Sequence, residues 1–200
     1  MTDGFTYPTR NPAPRTALDC ALLQDAYGRV LEIGGGTGFN LPHYPDSVDE
    51  LIVTEPSTGM LDRAKRRAGE LGRPVELVQA SAEELPLPDD SFDTVVSTLV
   101  LCAVDDQARS LAEIKRVLKP DGALLFIEHV RAEDPGLARW QDRLERPWHA
   151  IALCHPNRAT LEAIEAAGFE VERLERGDLP KSLPLVRPMI TGRAVPTGSP

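Results

Sequence analysis

Aromatic residues are scarce, 5% of 200, and the chain holds only three cysteines, three methionines and two tryptophans. No run of about 18 apolar residues occurs, so no membrane-spanning helix and no stable membrane anchor are expected. The N-terminal "MTDGFTYPTRNPAP" lacks the apolar core of a secretory signal. Cys20, Cys102 and Cys154 are odd in number, widely spaced and without a C-x-x-C pair. That spacing supports neither a zinc knuckle nor a disulfide framework, and it fits a reducing, cytoplasmic compartment. Positive charge is in deficit: 22 Lys and Arg against 31 Asp and Glu give a formal net charge of -9. A surface of that sign argues against non-specific binding to nucleic acid or to anionic membranes. Internal repeats and low-complexity segments are missing too.

What is present is ordinary globular composition, 42% hydrophobic and 26% charged, in a length that suits one domain. Residues 1–14 read as an arm, followed by a short helix closed by Gly28, so 1–28 form a preface to a single domain over 29–200. Apolar, β-rich runs then alternate with helical patterns: 29–34, 50–55, 75–80, 92–100 and 122–130 as strands, 57–72 and 106–120 as helices. Ser57 is a natural N-cap and Gly72 a natural stop. Strand, helix, strand in this rhythm predicts a Rossmann-like α/β fold, a mostly parallel sheet with helices on both faces. After a helix over 157–169, two further strands with a short connection give the sheet an antiparallel finish. Residues 131–156, which carry both tryptophans, read as an inserted helix and loop above the sheet.

In an open parallel sheet, ligands bind beyond the carboxyl ends of the strands. "EIGGGTG", residues 32–38, stands there after the first strand. The dinucleotide pattern G-x-G-x-x-G/A fails, because its sixth position is Phe39 counted from Gly34 and Leu41 counted from Gly36. No Lys-Ser/Thr follows, so the loop is not a Walker phosphate cradle either. The arrangement is Glu32-x-Gly34-x-Gly36-x-Gly38. An acid ahead of the glycines opposes a phosphate and suits a cationic ligand. Glu55, ending the second strand, is placed to accept from both hydroxyls of a ribose, and Met60 or Leu61 one turn later to cover an adenine.

"VLEIGGGTGFNLPHYP", "VTEPSTGMLDRAKRRA", "VQASAEELPLPDDSFDTVVSTLVLCAV" and "EIKRVLKPDGALLFIEHV" resemble, in order and spacing, the successive motifs of class I S-adenosylmethionine-dependent methyltransferases. The resemblance covers roughly residues 29–130 and implies a seven-stranded sheet with the last strand antiparallel. It also implies S-adenosyl-L-methionine as cofactor. Gly34, Gly36 and Gly38 would face its methionine part, Glu55 its ribose, Ala82 and Glu83 its adenine, with Thr98 to Leu101 on the floor of the methyl site. Ser81 stands where the family often has Asp bonding the adenine amino group, and Asp121-Gly122 replaces the usual Gly-Gly turn.

Methyl transfer from a sulfonium needs an aligned nucleophile and exclusion of water, and no metal. A thiol acceptor gains from a base. His129, with Glu128 at the end of strand five and expected to face the same cleft, is the candidate base or orienting group, and Cys102 a candidate substrate contact. The N/D-P-P-Y/F motif of amide and base amino methyltransferases is absent after strand four. "STLVLCAV", "LLFIEHV", "RPWH", "HPNRAT" and "LVRPMITGRAV" resemble the alkyl-thiol S-methyltransferase-like proteins over most of 29–195. That resemblance implies a small-molecule partner, a small thiol among them, in a pocket shaped by Trp140, Trp148, His149 and Arg187. The N-terminal apolar tether common in that group is not seen in this sequence. A phospholipid or amine N-methyltransferase, a quinone-type C-methyltransferase and a non-catalytic cofactor-binding protein are the competing readings.

Overall fold

The computed structural model describes residues 20–179 and 182–198, so the arm expected over 1–14 lies outside the described residues. Residues 20–23 are helical, but this helix ends well ahead of Gly28, which opens the first strand. The strands are β1 (Gly28–Ile33), β2 (Val48–Thr54), β3 (Glu76–Val78), β4 (Phe92–Thr98), β5 (Leu118–His129), β6 (Phe169–Asp178) and β7 (Pro188–Pro196). The helices are α1 (Thr58–Leu71), α2 (Gln107–Val117), α3 (Pro135–Ala152) and α4 (Thr160–Ala166).

The sheet runs β3-β2-β1-β4-β5-β7-β6. Strands β1 to β5 are mutually parallel, and β7 is antiparallel to both of its neighbours, β5 and β6. Strand order turns back at β1, which lies between β2 and β4. The loops leaving β1 and β4 therefore diverge and open a crevice there.

Near-continuous apolar runs appear because both faces of the central strands are covered. Along β5, Leu124 and Phe126 pack with Leu111 and Ile114 of α2 and Ile164 of α4. Leu125 and Ile127 project to the opposite face, against Leu22, Leu23, Val53 and Val96. Full burial of such a side chain contributes about 1.5–3 kcal/mol, whereas an exposed pair such as Arg109 with Glu84 contributes about 0–1 kcal/mol. The two apolar layers, rather than the surface charges, hold the sheet.

Helix boundaries follow local chemistry. The Ser57 side chain accepts from the Met60 amide, and Gly72 closes α1 in the left-handed conformation. Asp106 caps α2 by accepting from the Arg109 amide, and Asp134 caps α3 by accepting from Leu137. The helix expected over 157–169 forms only over α4. Its preceding residue, Ala159, has no side-chain oxygen with which to extend the start.

Candidate active site

The site begins where β1 ends. Gly34 and Gly36 both have positive φ, 55° and 56°, a region that L side chains enter at a cost of about 1–2 kcal/mol. A Cβ on Gly34 would lie 2.7 Å from Val100 Cγ2, so the β1 loop packs directly on the β4 loop. A Cβ on Gly36 would meet nothing within 4 Å. This backbone borders open space.

Glu55 lies where the sequence places it, just past β2, but its carboxylate is not free. The Gly36 amide donates to Oε2 at 3.0 Å and the Ser57 amide to Oε1 at 2.9 Å. Burial pushes the Glu55 carboxyl up, and the two amides oppose that shift. A carboxylate has about four lone-pair sites, so two remain for ligand hydroxyls.

Glu32 is fully buried and accepts from Asn40 Nδ2 at 2.8 Å and from Tyr44 Oη at 3.0 Å. Asn40 Nδ2 also donates to Thr98 Oγ1 at 3.0 Å. One amide thus ties the glycine loop to the end of β4. Its orientation follows from the carboxylate it faces, which accepts and cannot donate. The other end of that amide, Asn40 Oδ1, is buried with no partner. Asn40 and Tyr44 are not among the residues singled out from the sequence. A buried carboxylate and an orphaned acceptor beside a glycine loop fit a bound ammonium group, as in the amino-acid tail of S-adenosylmethionine.

On the other side of Glu55, Met60 is half-buried in the first turn of α1, and Ala82 is buried. Ser81 forms an isolated bridge with Glu84, and Glu83 Oε1 accepts from the Asp105 amide at 3.0 Å. The Glu83 carboxylate therefore fastens this turn to the loop before α2.

The acceptor side corrects three expectations. Glu128 does not share a cleft with His129. Adjacent strand residues point to opposite faces, and Glu128 is buried beneath the loop after β4. Its carboxylate accepts from Ser97 Oγ at 2.7 Å and from the amides of Val100, Leu101 and Cys102 at 3.1, 3.0 and 3.0 Å. Burial pushes this carboxyl up and those four donors pull it down. Trp140 is 55% exposed on the outer face of α3, with Arg143 over its ring, so it does not wall a buried pocket. Helix phase explains this: α3 buries Ala138 and Gln141, so the position between them turns outward. Arg187 is exposed just before β7 and makes no ion pair among the described residues.

His129, Cys102 and Trp148 do converge, together with Cys154, which spacing alone had set aside. His129 Nδ1 lies 4.0 Å from both Cys102 Sγ and Cys154 Sγ, while its Nε2 is buried without a partner. Trp148 Nε1 donates to Cys154 Sγ at 3.3 Å. The two thiols differ in acidity: the contact with Cys102, then His129 and Trp148, pulls Cys154 below the usual thiol range, and the same contact with burial pushes Cys102 above it. His149 stacks on His155 with centroids 4.1 Å apart, and the His155 amide donates to Cys102 O.

α3 is pinned above these groups by Gln141, whose Oε1 accepts from Ala132 N while Nε2 donates to Val130 O and Leu185 O. A groove of about 760 Å³ between α2 and α4 lies at the opposite end of the strands and holds none of these residues.

A sheet of this order, with β7 inserted antiparallel beside β5 and a glycine loop at its switch point, defines the class I S-adenosylmethionine-dependent methyltransferase fold. Known proteins agree. Residues 31–126 match the methyltransferase domain family. The chain is 37% identical over 174 residues to thiol S-methyltransferase TMT1A of Homo sapiens, spanning 83% of this chain and 70% of that one. It is 36% identical over 155 residues to phosphatidylethanolamine N-methyltransferase of Cereibacter sphaeroides, spanning 73% of each. The crystal structure of YcgJ from Bacillus subtilis overlays with a TM-score of 0.72 at 21% identity, covering 94% of this chain and 100% of that one, which shows the shared fold. The chain belongs to the S-adenosylmethionine-dependent methyltransferases, close to the thiol S-methyltransferase group. No helix among the described residues is long and apolar enough to cross a membrane.

Proposed function

We propose that this methyltransferase acts in the cytoplasm on a small thiol. The observation that carries the reading is the buried group of Cys102, Cys154, His129 and Trp148, a soft and largely apolar surface beside the loop that packs on Gly34. The 37% identity to a thiol S-methyltransferase supports it.

S-adenosylmethionine supplies a methyl group made electrophilic by its sulfonium. Gly36, where a Cβ would meet nothing, leaves room for its methionine part, while Gly34 and Gly38 let the loop pack on Val100 and Leu41; Glu32 would act on the ammonium through Asn40, whose Oδ1 would accept from it. Glu55 takes the ribose hydroxyls, with the Gly36 and Ser57 amides holding its carboxylate in place. Met60, Ser81, Ala82 and Glu83 border the adenine. Thr98 floors the methyl site, fixed by Asn40. His129 serves the acceptor as base or orienting group, and Cys102, Trp148 and His149 wall the pocket beneath the 131–156 segment, which acts as a substrate lid.

The relative acting on phosphatidylethanolamine supports a second reading, an amine acceptor. A neutral amine needs no base, so the buried imidazole and thiols would then have no task. A methyl-transfer screen over thiols, amines and quinols, read as S-adenosylhomocysteine formed, separates the two. Turnover of small thiols is expected, and failure on every thiol with turnover of an amine overturns the thiol reading.

A further inference from the structure

Cys102, His129 and Cys154 come from three separate places: the loop after β4, the last residue of β5 and the turn after α3. Their ligand atoms nevertheless all lie within 4.8 Å of one another, and all three residues are buried. Tetrahedral zinc, with Zn–S about 2.3 Å and Zn–N about 2.0 Å, sets S···N edges of about 3.6 Å and an S···S edge of about 3.8 Å. The two observed S···N edges, 4.0 Å each, exceed this by a few tenths of an ångström, and the S···S edge lies within 4.8 Å, so the triangle closes on an ion by side-chain shifts of about 1 Å or less.

Buried cysteines alone would be unremarkable as small apolar groups, and these two do pack with Val186. A histidine 8% exposed among them, its Nδ1 turned to both sulfurs, is not explained by apolar packing. The Trp148 N–H directed at Cys154 Sγ is the outer hydrogen bond that a metal thiolate takes. Charge is consistent as well, because two thiolates and a dication sum to zero. Of the nearby ions, Glu128 holds the Cys102 amide and Arg158 donates to Leu101 O at 2.9 Å, and these two offset each other.

We propose that Cys102 Sγ, Cys154 Sγ and His129 Nδ1 bind zinc and leave its fourth position open to the sulfur of the acceptor. The second half of this statement rests on the thiol reading above. A thiol entering the open position loses its S–H proton to solvent and stays as a metal-bound thiolate, with no change of oxidation state. His129 is then a ligand, and the cation rather than the imidazole keeps the acceptor ionised. Spacing concealed the site because Cys102 and Cys154 approach only when α3 folds back across the sheet.

The test uses the full chain, reduced and freed of metal, titrated with Zn²⁺ against a chromophoric chelator and separately with Co²⁺. One equivalent per chain is expected, with the absorption of tetrahedral, sulfur-ligated Co²⁺. Adding 2-mercaptoethanol should intensify the sulfur-to-cobalt band, and ethylene glycol should not. Cys102→Ser and Cys154→Ser should each weaken Zn²⁺ binding beyond the ~10–100-fold of an outer-shell change, and Trp148→Phe by ~10-fold. Absence of stoichiometric binding by the reduced wild-type chain overturns the site, as does equal binding by both serine variants or a Cys102–Cys154 disulfide in protein isolated without reductant. Two results keep the ideas distinct. Metal binding without methylation of any thiol overturns the acceptor reading alone, and undiminished thiol methylation by the metal-free chain overturns the metal's role alone.

Discussion

Replacing Asn40 by Leu, of similar size, removes two donors and one acceptor from the centre of the site. Glu32 is 1% exposed and would lose its 2.8 Å bond from Nδ2, keeping the one from Tyr44. A hydrogen bond to a charged group contributes about 1.5–3 kcal/mol and a neutral one, such as that to Thr98, about 1 kcal/mol. The folded state should therefore lose roughly 2.5–4 kcal/mol, a large part of the ~5–15 kcal/mol typical of a domain. Loss of Oδ1 should separately raise the dissociation constant of S-adenosylhomocysteine by ~10–150-fold, the equivalent of one charged hydrogen bond. Asn40→Asp is the informative companion. It retains an acceptor but sets a second carboxylate beside Glu32, so the folded pair must hold an extra proton. Its stability then falls as pH rises, opposite in sign to a carboxylate paired with a cation. Urea unfolding reads the first quantity and calorimetry with the folded variant the second. A dissociation constant within about twofold of wild type, alongside the stability loss, would show that Oδ1 does not face the ligand. Unchanged stability would refute the buried Glu32 bond itself.

Glu55→Gln must turn its amide NH2 toward either the Gly36 or the Ser57 amide, leaving one donor unmatched. Cofactor affinity measured by calorimetry should fall by ~10-fold or more. Trp140→Ser, on the exposed face of α3, should shift unfolding free energy by no more than ~0.5 kcal/mol and leave turnover unchanged, and a large fall in turnover would return Trp140 to the pocket. The Arg116 guanidinium holds the Glu113 carboxyl below its usual range. Its stabilisation is thus present at neutral pH and lost as pH falls below about 4.3. Glu113→Gln should flatten the acid limb of a Tm-against-pH curve slightly, and an unaltered limb would show that the pair contributes nothing.

Much of the frame was legible because it rests on local chemistry. Ser57 and Gly72 mark helix ends by hydrogen bonds within a few residues, and the near-continuous apolar run of β5 shows two covered faces. Glu55 was placed correctly, since strand ends follow from apolar runs. What stayed hidden depends on contacts remote in sequence. Asn40 is an unremarkable polar residue until Glu32 and Thr98 close on it. Glu128 read as a cleft residue because nothing local reveals the four donors beneath it. Gln141 and Cys154 matter only once α3 has docked. Trp140 was misjudged on residue type, where helix phase points it to solvent.

Glu128 has a wider consequence. The amides of Val100, Leu101 and Cys102 all terminate on its carboxylate, so the course of that loop is set from below by a residue of β5 and not by the loop's own side chains. Of those side chains, Val100 packs on Gly34 and Leu101 and Cys102 are buried, so packing constrains them in addition to the anchored main chain. The same economy makes position 128 intolerant: one substitution there releases three amides at once.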